Sequence, residues 1–139
     1  MDYGRIALAT GGGMVACFAA GFAIFILVPQ MINEGRKYSA VFRSREGQMA
    51  GMPALMAATL VAILVLAVLY AMGYRGGSGL ADGARFGALI GVFVVCAFVV
   101  HNYVNLNFGL TLMLMQAGAY FVQWTLVGTV IGLLYKPSA

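Results

Sequence analysis

The sequence predicts an all-α membrane protein: four transmembrane helices in a compact antiparallel bundle, with a possible short interfacial helix in the first loop. Three observations predict it. Four long apolar stretches, about 6–28, 52–72, 84–104 and 109–135, take up most of the 139 residues, and a helix needs ~20 apolar residues to cross a ~30 Å hydrocarbon core. Hydrophobic residues make up 63% of the chain and charged ones 9%, where soluble domains carry about a quarter charged. No Asp, Glu, Lys or Arg falls deep inside any of the four stretches. Lipid offers peptide groups no hydrogen bonds, so such stretches must satisfy their own backbone as helices. The residues left over are too few for a second core, so residues 1–139 read as one domain.

The first span follows Arg5 and has the flank of a signal sequence, but it runs past twenty residues to Val28-Pro29 with no small-residue cleavage pattern. It is therefore expected to be retained. Pro29 cannot sit in a helix interior without losing a hydrogen bond, so the span ends or kinks there. In the first loop Tyr38, Val41 and Phe42 recur at helical spacing among Arg36, Lys37, Arg43 and Arg45. That pattern suits a short helix lying in the interface, aromatics in the acyl boundary and basic groups on phosphates. A solvated loop with incidental aromatics is the alternative. The run Gly76-Gly77-Ser78-Gly79 follows a helix rather than a strand and lacks the lysine of a phosphate loop, so it reads as a turn.

Small residues recur at every fourth position on each span: Ala9, Gly13, Cys17 and Gly21; Ala50, Ala54, Ala58 and Ala62; Gly83, Gly87 and Gly91; Gly128 and Gly132. Spacing of four places them on one face of a helix. Helices in lipid have no hydrophobic drive to associate and gain their attraction from close backbone approach. Gly13, Gly21, Ala54, Ala58, Gly87, Gly91, Gly128 and Gly132 are accordingly expected at helix contacts, in a bundle too tight for a wide pore.

The net charge of +4 does not point to nucleic acid, because the basic residues flank the spans. Arg36, Lys37, Arg43 and Arg45 are expected on lipid headgroups. The opposite side holds Arg5, Arg75, Arg85 and Lys136, an equal number, and the clustering in the first loop favours placing that loop in the cytoplasm with both termini outside. Cys17 and Cys96 fall mid-span and behave as small apolar residues. Two sulfurs make no metal site, and no cofactor is expected.

The missing membrane-embedded acid excludes the small multidrug exporters, which need a carboxylate on their first helix. What remains is a polar cluster. His101, Asn102 and Asn105 end the third span, and Gln116, Tyr120 and Gln123 share one face of the fourth. A short loop makes these helices neighbours, so His101 and Asn105 are expected to approach Gln116. One reading has these groups hydrogen-bonding across helices, worth ~0.6 kcal/mol each. The other has them lining a pocket for a lipid-like or small polar ligand, with His101 carrying a proton or touching the ligand. A lone histidine without a carboxylate makes an incomplete catalyst, so an enzyme is the lesser expectation. Trp124 is expected to pack.

Gly21-x3-Phe25-x3-Pro29 is followed by Gly35 and Tyr38. Later, Gly87-x3-Gly91 leads through Asn102 or Asn105 to Ala117-Gly118-Ala119-Tyr120 and Gly128-x3-Gly132. In these features the chain resembles a family of small bacterial four-helix membrane proteins catalogued as a domain of unknown function. That resemblance implies the fold and a bacterial membrane, without an activity. The chain is also similar in length and span number to membrane glutathione-handling enzymes, with Arg43 and Pro53 at a matching spacing. Gly47 and Ala50 stand where that motif has Asn and Glu, which argues against glutathione binding. The expected function is a non-catalytic packing or accessory subunit of a homo-oligomer or larger complex in a bacterial inner membrane, with membrane lipids and itself or other membrane subunits as partners. The alternative is a binder, carrier or membrane enzyme for a small lipophilic molecule, with its site between spans three and four or under the first loop.

Overall fold

The computed structural model describes residues 1–136, and every regular element among them is helical. In chain order these are α1 (Tyr3–Leu27), α2 (Pro29–Arg36), α3 (Arg45–Gly73), α4 (Gly79–Val94), a π-helical stretch (Val95–Val100), α5 (His101–Asn105) and α6 (Leu110–Leu134). Four helices are long and apolar enough to cross a membrane: Tyr3–Leu27, Arg45–Gly73, Gly79–Asn105 and Leu110–Leu134. The protein is an all-α membrane protein with four spans.

Side-chain oxygens set the helix starts by accepting from backbone N–H groups that have no partner in the first turn. Asp2 accepts from the Arg5 N–H at 3.0 Å, Ser44 from Gly47 at 3.2 Å and Ser78 from Ala81 at 3.4 Å. Two of these caps move span boundaries. With Ser44 capping, the second span begins at Arg45 rather than near residue 52, and Pro53 lies inside the helix. With Ser78 capping, the third begins at Gly79 rather than 84. Gly76 turns the preceding chain at φ +81°, a conformation that favours glycine.

The interfacial helix of the first loop also sits elsewhere than expected. It covers Pro29–Arg36, with Pro29 in the first turn, where a missing N–H leaves no bond unmade. Residues 37–41 form turns and Phe42 lies in a bend. Tyr38 and Phe42 therefore do not ride on a helix. They pack against Phe108, with Tyr103 on the same ring, at centroid distances of 6.1 to 6.5 Å. At the other end of the bundle Tyr70, Tyr74, Phe86 and Tyr135 meet at 5.4 to 6.1 Å. Aromatic groups thus gather near both ends of the spans, where Tyr70, Phe108 and Tyr135 are buried.

The helix α6 holds the centre, with α4 against one side and α1 against another, while α3 leans on α1. The α4–α6 seam runs backbone to backbone. A Cβ at Gly83 would lie 2.7 Å from the Gly128 carbonyl oxygen, and one at Gly87 would lie 2.7 Å from the carbonyl oxygens of Trp124 and Thr125. A Cβ at Gly128 would overlap the backbone of Gly87, and one at Gly132 that of Gly83. Gly91 continues the seam against Phe121. Beyond it the π-helical stretch shifts the register, burying Val99 and setting Phe98 edge-on to Tyr120 at 5.9 Å.

On the other flank Gly13 makes room for α3, since a Cβ there would come 2.7 Å from Cγ2 of Ile63. Ile63, Ala67, Tyr70 and Ala71 are the buried residues of α3, and none lies before Ile63. Ala54 and Ala58, expected at a helix contact, are exposed. The reason lies in α1. Where α3 sits close, α1 offers Ala9 and Gly13; further along it offers the larger Phe18, Phe22 and Phe25, which line a cavity with Met52 and Leu55.

Candidate functional site

The divergence of α3 from α1 and α6 leaves a cleft of about 800 Å³ within the membrane-spanning region. Phe18, Phe22 and Phe25 of α1 and Met52, Leu55 and Thr59 of α3 form its walls, and Tyr120, Gln123 and Trp124 of α6 its floor. The wall residues recur at i, i+4, i+7 and at i, i+3, i+7, so each helix contributes one continuous face. Phe22 is 68% exposed and Leu55 54% exposed, so the cleft opens sideways towards lipid.

A second cavity, of about 410 Å³, lies under the first loop and is lined by Phe25, Arg36, Arg43, Ser44, Gln48 and Gln116 among others. A small recess of about 160 Å³, bounded by Gly21, Gln116, Tyr120 and Gln123, sits between the two. Phe25 borders both larger cavities, Gln116 joins the loop cavity to the recess, and Gly21, Tyr120 and Gln123 join the recess to the cleft. The three thus lie side by side from the loop into the bundle, sharing these residues as walls.

Gln123 ties α6 to α1 at the recess. Its Nε2 donates to the Cys17 carbonyl at 2.9 Å and lies 3.4 Å from the Cys17 sulfur. Gly21, one turn along, gives the amide its space, since a Cβ there would lie 3.1 Å from Nε2. Among the described residues the Trp124 indole N–H is buried without a partner, which is costly in lipid.

Of the six polar residues expected to cluster, the structure brings together Gln116, Tyr120 and Gln123 but leaves His101, Asn102 and Asn105 apart from them. Asn105 donates to the His101 carbonyl at 2.8 Å, and both residues are exposed. The expected bond from Gln116 to His101 or Asn105 is not formed. The glycine seam explains this, because α6 meets α4 through Phe121, Thr125, Gly128 and Gly132. Gln116 and Gln123 border α1 instead, and Tyr120 meets the third span only at Phe98, before His101. Among the described residues, no three His, Cys, Asp or Glu side chains form a metal-binding group.

The four basic residues of the first loop separate into different roles. Lys37 pairs with Glu34 at 2.6 Å. The hydrogen bond to Glu34, together with its charge, pushes the Lys37 ammonium above its usual pKa range. Arg45 opens α3 at the surface. Arg36 and Arg43 both border the loop cavity, which no acidic side chain lines. Sequence reasoning did not find the cleft walls. Phe18, Phe22 and Phe25 share a helical face, but so do residues that merely face lipid, and nothing local tells the two apart.

The Gln123 bond is expected to carry measurable stability. Gln123→Leu should lower the thermal midpoint in detergent by the equivalent of about 1 kcal/mol, the range of interhelical bonds in membranes. A midpoint equal to wild type would show that this bond adds nothing to the stability of the bundle.

Comparison with known proteins finds no matching family model, no matching curated protein and no matching solved structure.

Proposed function

We propose that the protein is a non-catalytic binder of a small lipophilic molecule, held in the cleft among α1, α3 and α6. The observation that carries this reading is the cleft itself. Its volume of about 800 Å³ falls within the ~300–1,000 Å³ of small-molecule sites, and its walls are apolar with a few convergent polar groups, the usual composition of such sites. Of the two expected positions, the one under the first loop is favoured, since α4 and α6 close on each other through glycine, and it extends between the first, second and fourth spans. We place the protein in a bacterial inner membrane with the first loop cytoplasmic, and the glycine and tyrosine signature supports kinship with the small bacterial four-helix family.

A second reading, a packing or accessory subunit of a homo-oligomer or larger membrane complex, is favoured by one observation. Ala50, Ala54, Ala58 and Ala62 form an exposed small-residue face on α3, the kind of surface through which helices associate in lipid. Cross-linking in native membranes and sizing in mild detergent test it, and a strictly monomeric particle with no partner counts against it.

The binding reading is tested by native mass spectrometry of protein released from mild detergent. Wild type should carry a stoichiometric non-protein mass. Thr59→Phe, which fills the cleft from the half of α3 that makes no buried contacts, should lose it while keeping the wild-type thermal midpoint. A bare wild-type protein, or equal retention by the variant, would refute the proposal.

A further inference from the structure

Building on the lipophile-binding reading, we infer that the ligand is an amphiphile with an anionic head group, a phosphate or carboxylate. Its head sits between Arg36 and Arg43 under the first loop, and its hydrocarbon runs into the cleft among α1, α3 and α6. Three observations converge on this. Arg36 and Arg43 line one cavity of about 410 Å³ together with Ser39, Ser44 and Gln48, and among the described residues no acidic one borders it; the Gln48 amide also donates to the Arg43 carbonyl at 3.0 Å. The nearby Lys37 is already paired with Glu34. Two guanidinium groups beside neutral donors match the oxygens of a phosphate or carboxylate, which arginine binds through paired N–H groups.

The second observation is adjacency. Phe25 borders both the arginine cavity and the cleft, so one ring stands between a head at Arg36 and Arg43 and the apolar walls. The third is depth. The cleft reaches Cys17 on α1, which at 1.5 Å per residue lies about 15 Å below the end of that helix at Leu27. Only a ligand with a long hydrocarbon portion occupies both ends. A free anion would fill the arginine cavity and leave the cleft empty.

The protein contains a single tryptophan, Trp124, on the floor of the cleft, so its fluorescence reports occupancy. Full-length protein in phosphatidylcholine nanodiscs is titrated with two probes bearing the same brominated chain, an alkyl phosphate and the corresponding neutral alcohol. Wild type should be quenched by both, and at least about tenfold more tightly by the phosphate, as expected for charge-assisted hydrogen bonds. The double variant Arg36→Gln with Arg43→Gln should lose that preference, to within about twofold, while keeping quenching by the alcohol, which also shows that it is folded. Lys37→Gln with Arg45→Gln removes the same charge from the same end of the bundle and should keep the preference. Thr59→Phe should abolish quenching by both probes.

The outcomes separate the two claims. If neither probe quenches wild type, the cleft reading itself fails and the head-group assignment goes with it. If both quench equally, the cleft binds a lipophile and the anionic head is wrong. Equal loss of preference in the two double variants would assign it to surface charge rather than to the cavity. Displacement of the alkyl phosphate by inorganic phosphate at comparable concentration would make the anion, without its chain, the species recognised. Either result overturns the inference.

Discussion

Gly128→Ile should unfold the bundle, while Gln116→Leu should leave it close to wild-type stability. Gly128 faces Gly87 so closely that even a methyl group would overlap the opposing backbone. A backbone cannot rotate out of the way as a side chain can, so α4 and α6 must move apart along their whole seam. Overpacking a tight core usually costs about 1–3 kcal/mol, and here it also removes the close approach that supplies the helices' attraction in lipid. Gln116 instead borders the recess and forms no bond to His101 or Asn105. Replacing it with Leu strands no partner. Thermal melts of both variants in one detergent decide the matter, and a Gln116→Leu protein that melts far earlier than Gly128→Ile would show that the cohesion of the bundle lies elsewhere.

Gly13→Leu should release α3 from the rest of the protein. The contact at Ile63 is the uppermost buried point of α3, and a Cβ on Gly13 would press 2.7 Å from Cγ2 of Ile63 and 3.4 Å from Ile131. Leucine at that position adds atoms where α1, α3 and α6 meet, so the expected loss is at the upper end of the ~1–3 kcal/mol overpacking range. The cleft needs α3 as a wall, so quenching of Trp124 by the brominated alcohol should disappear as well. Gly11→Leu is the matched control, because among the described residues a Cβ at Gly11 meets nothing within 4 Å. It should melt and bind as wild type does. Equal damage from the two substitutions would mean that the first helix tolerates no added bulk anywhere, and that the Ile63 contact has no special weight.

The two glycines were marked out by spacing alone, and spacing shows both what was readable in the chain and what was not. Gly83, Gly87, Gly91, Gly128 and Gly132 share helical faces by sequence and do meet at the α4–α6 seam. By the same rule Ala54 and Ala58 share a face, yet that face is exposed. The rule is identical in both cases; the difference lies in what stands opposite. Gln116, Tyr120 and Gln123 teach the same lesson for the candidate site. Their common face was evident from i, i+4, i+7 spacing, but Gln116 and Gln123 border α1 rather than His101 and Asn105 on the neighbouring span.

The sequence by itself determined the four spans and the all-helical architecture. Those follow from local chemistry, since an apolar stretch of that length in lipid has no way to satisfy its backbone except as a helix. It also determined which residues share a face, because helical periodicity is a property of one segment alone. Only the tertiary structure decided which face meets which helix, where Ser44 and Ser78 start their helices, and that α3 leaves α1 beyond Ile63 to open the cleft. A cleft is the gap between two helices that diverge. It is bounded by side chains of both at once, Phe22 and Phe25 on one and Met52 and Leu55 on the other, and no single stretch of chain contains that information.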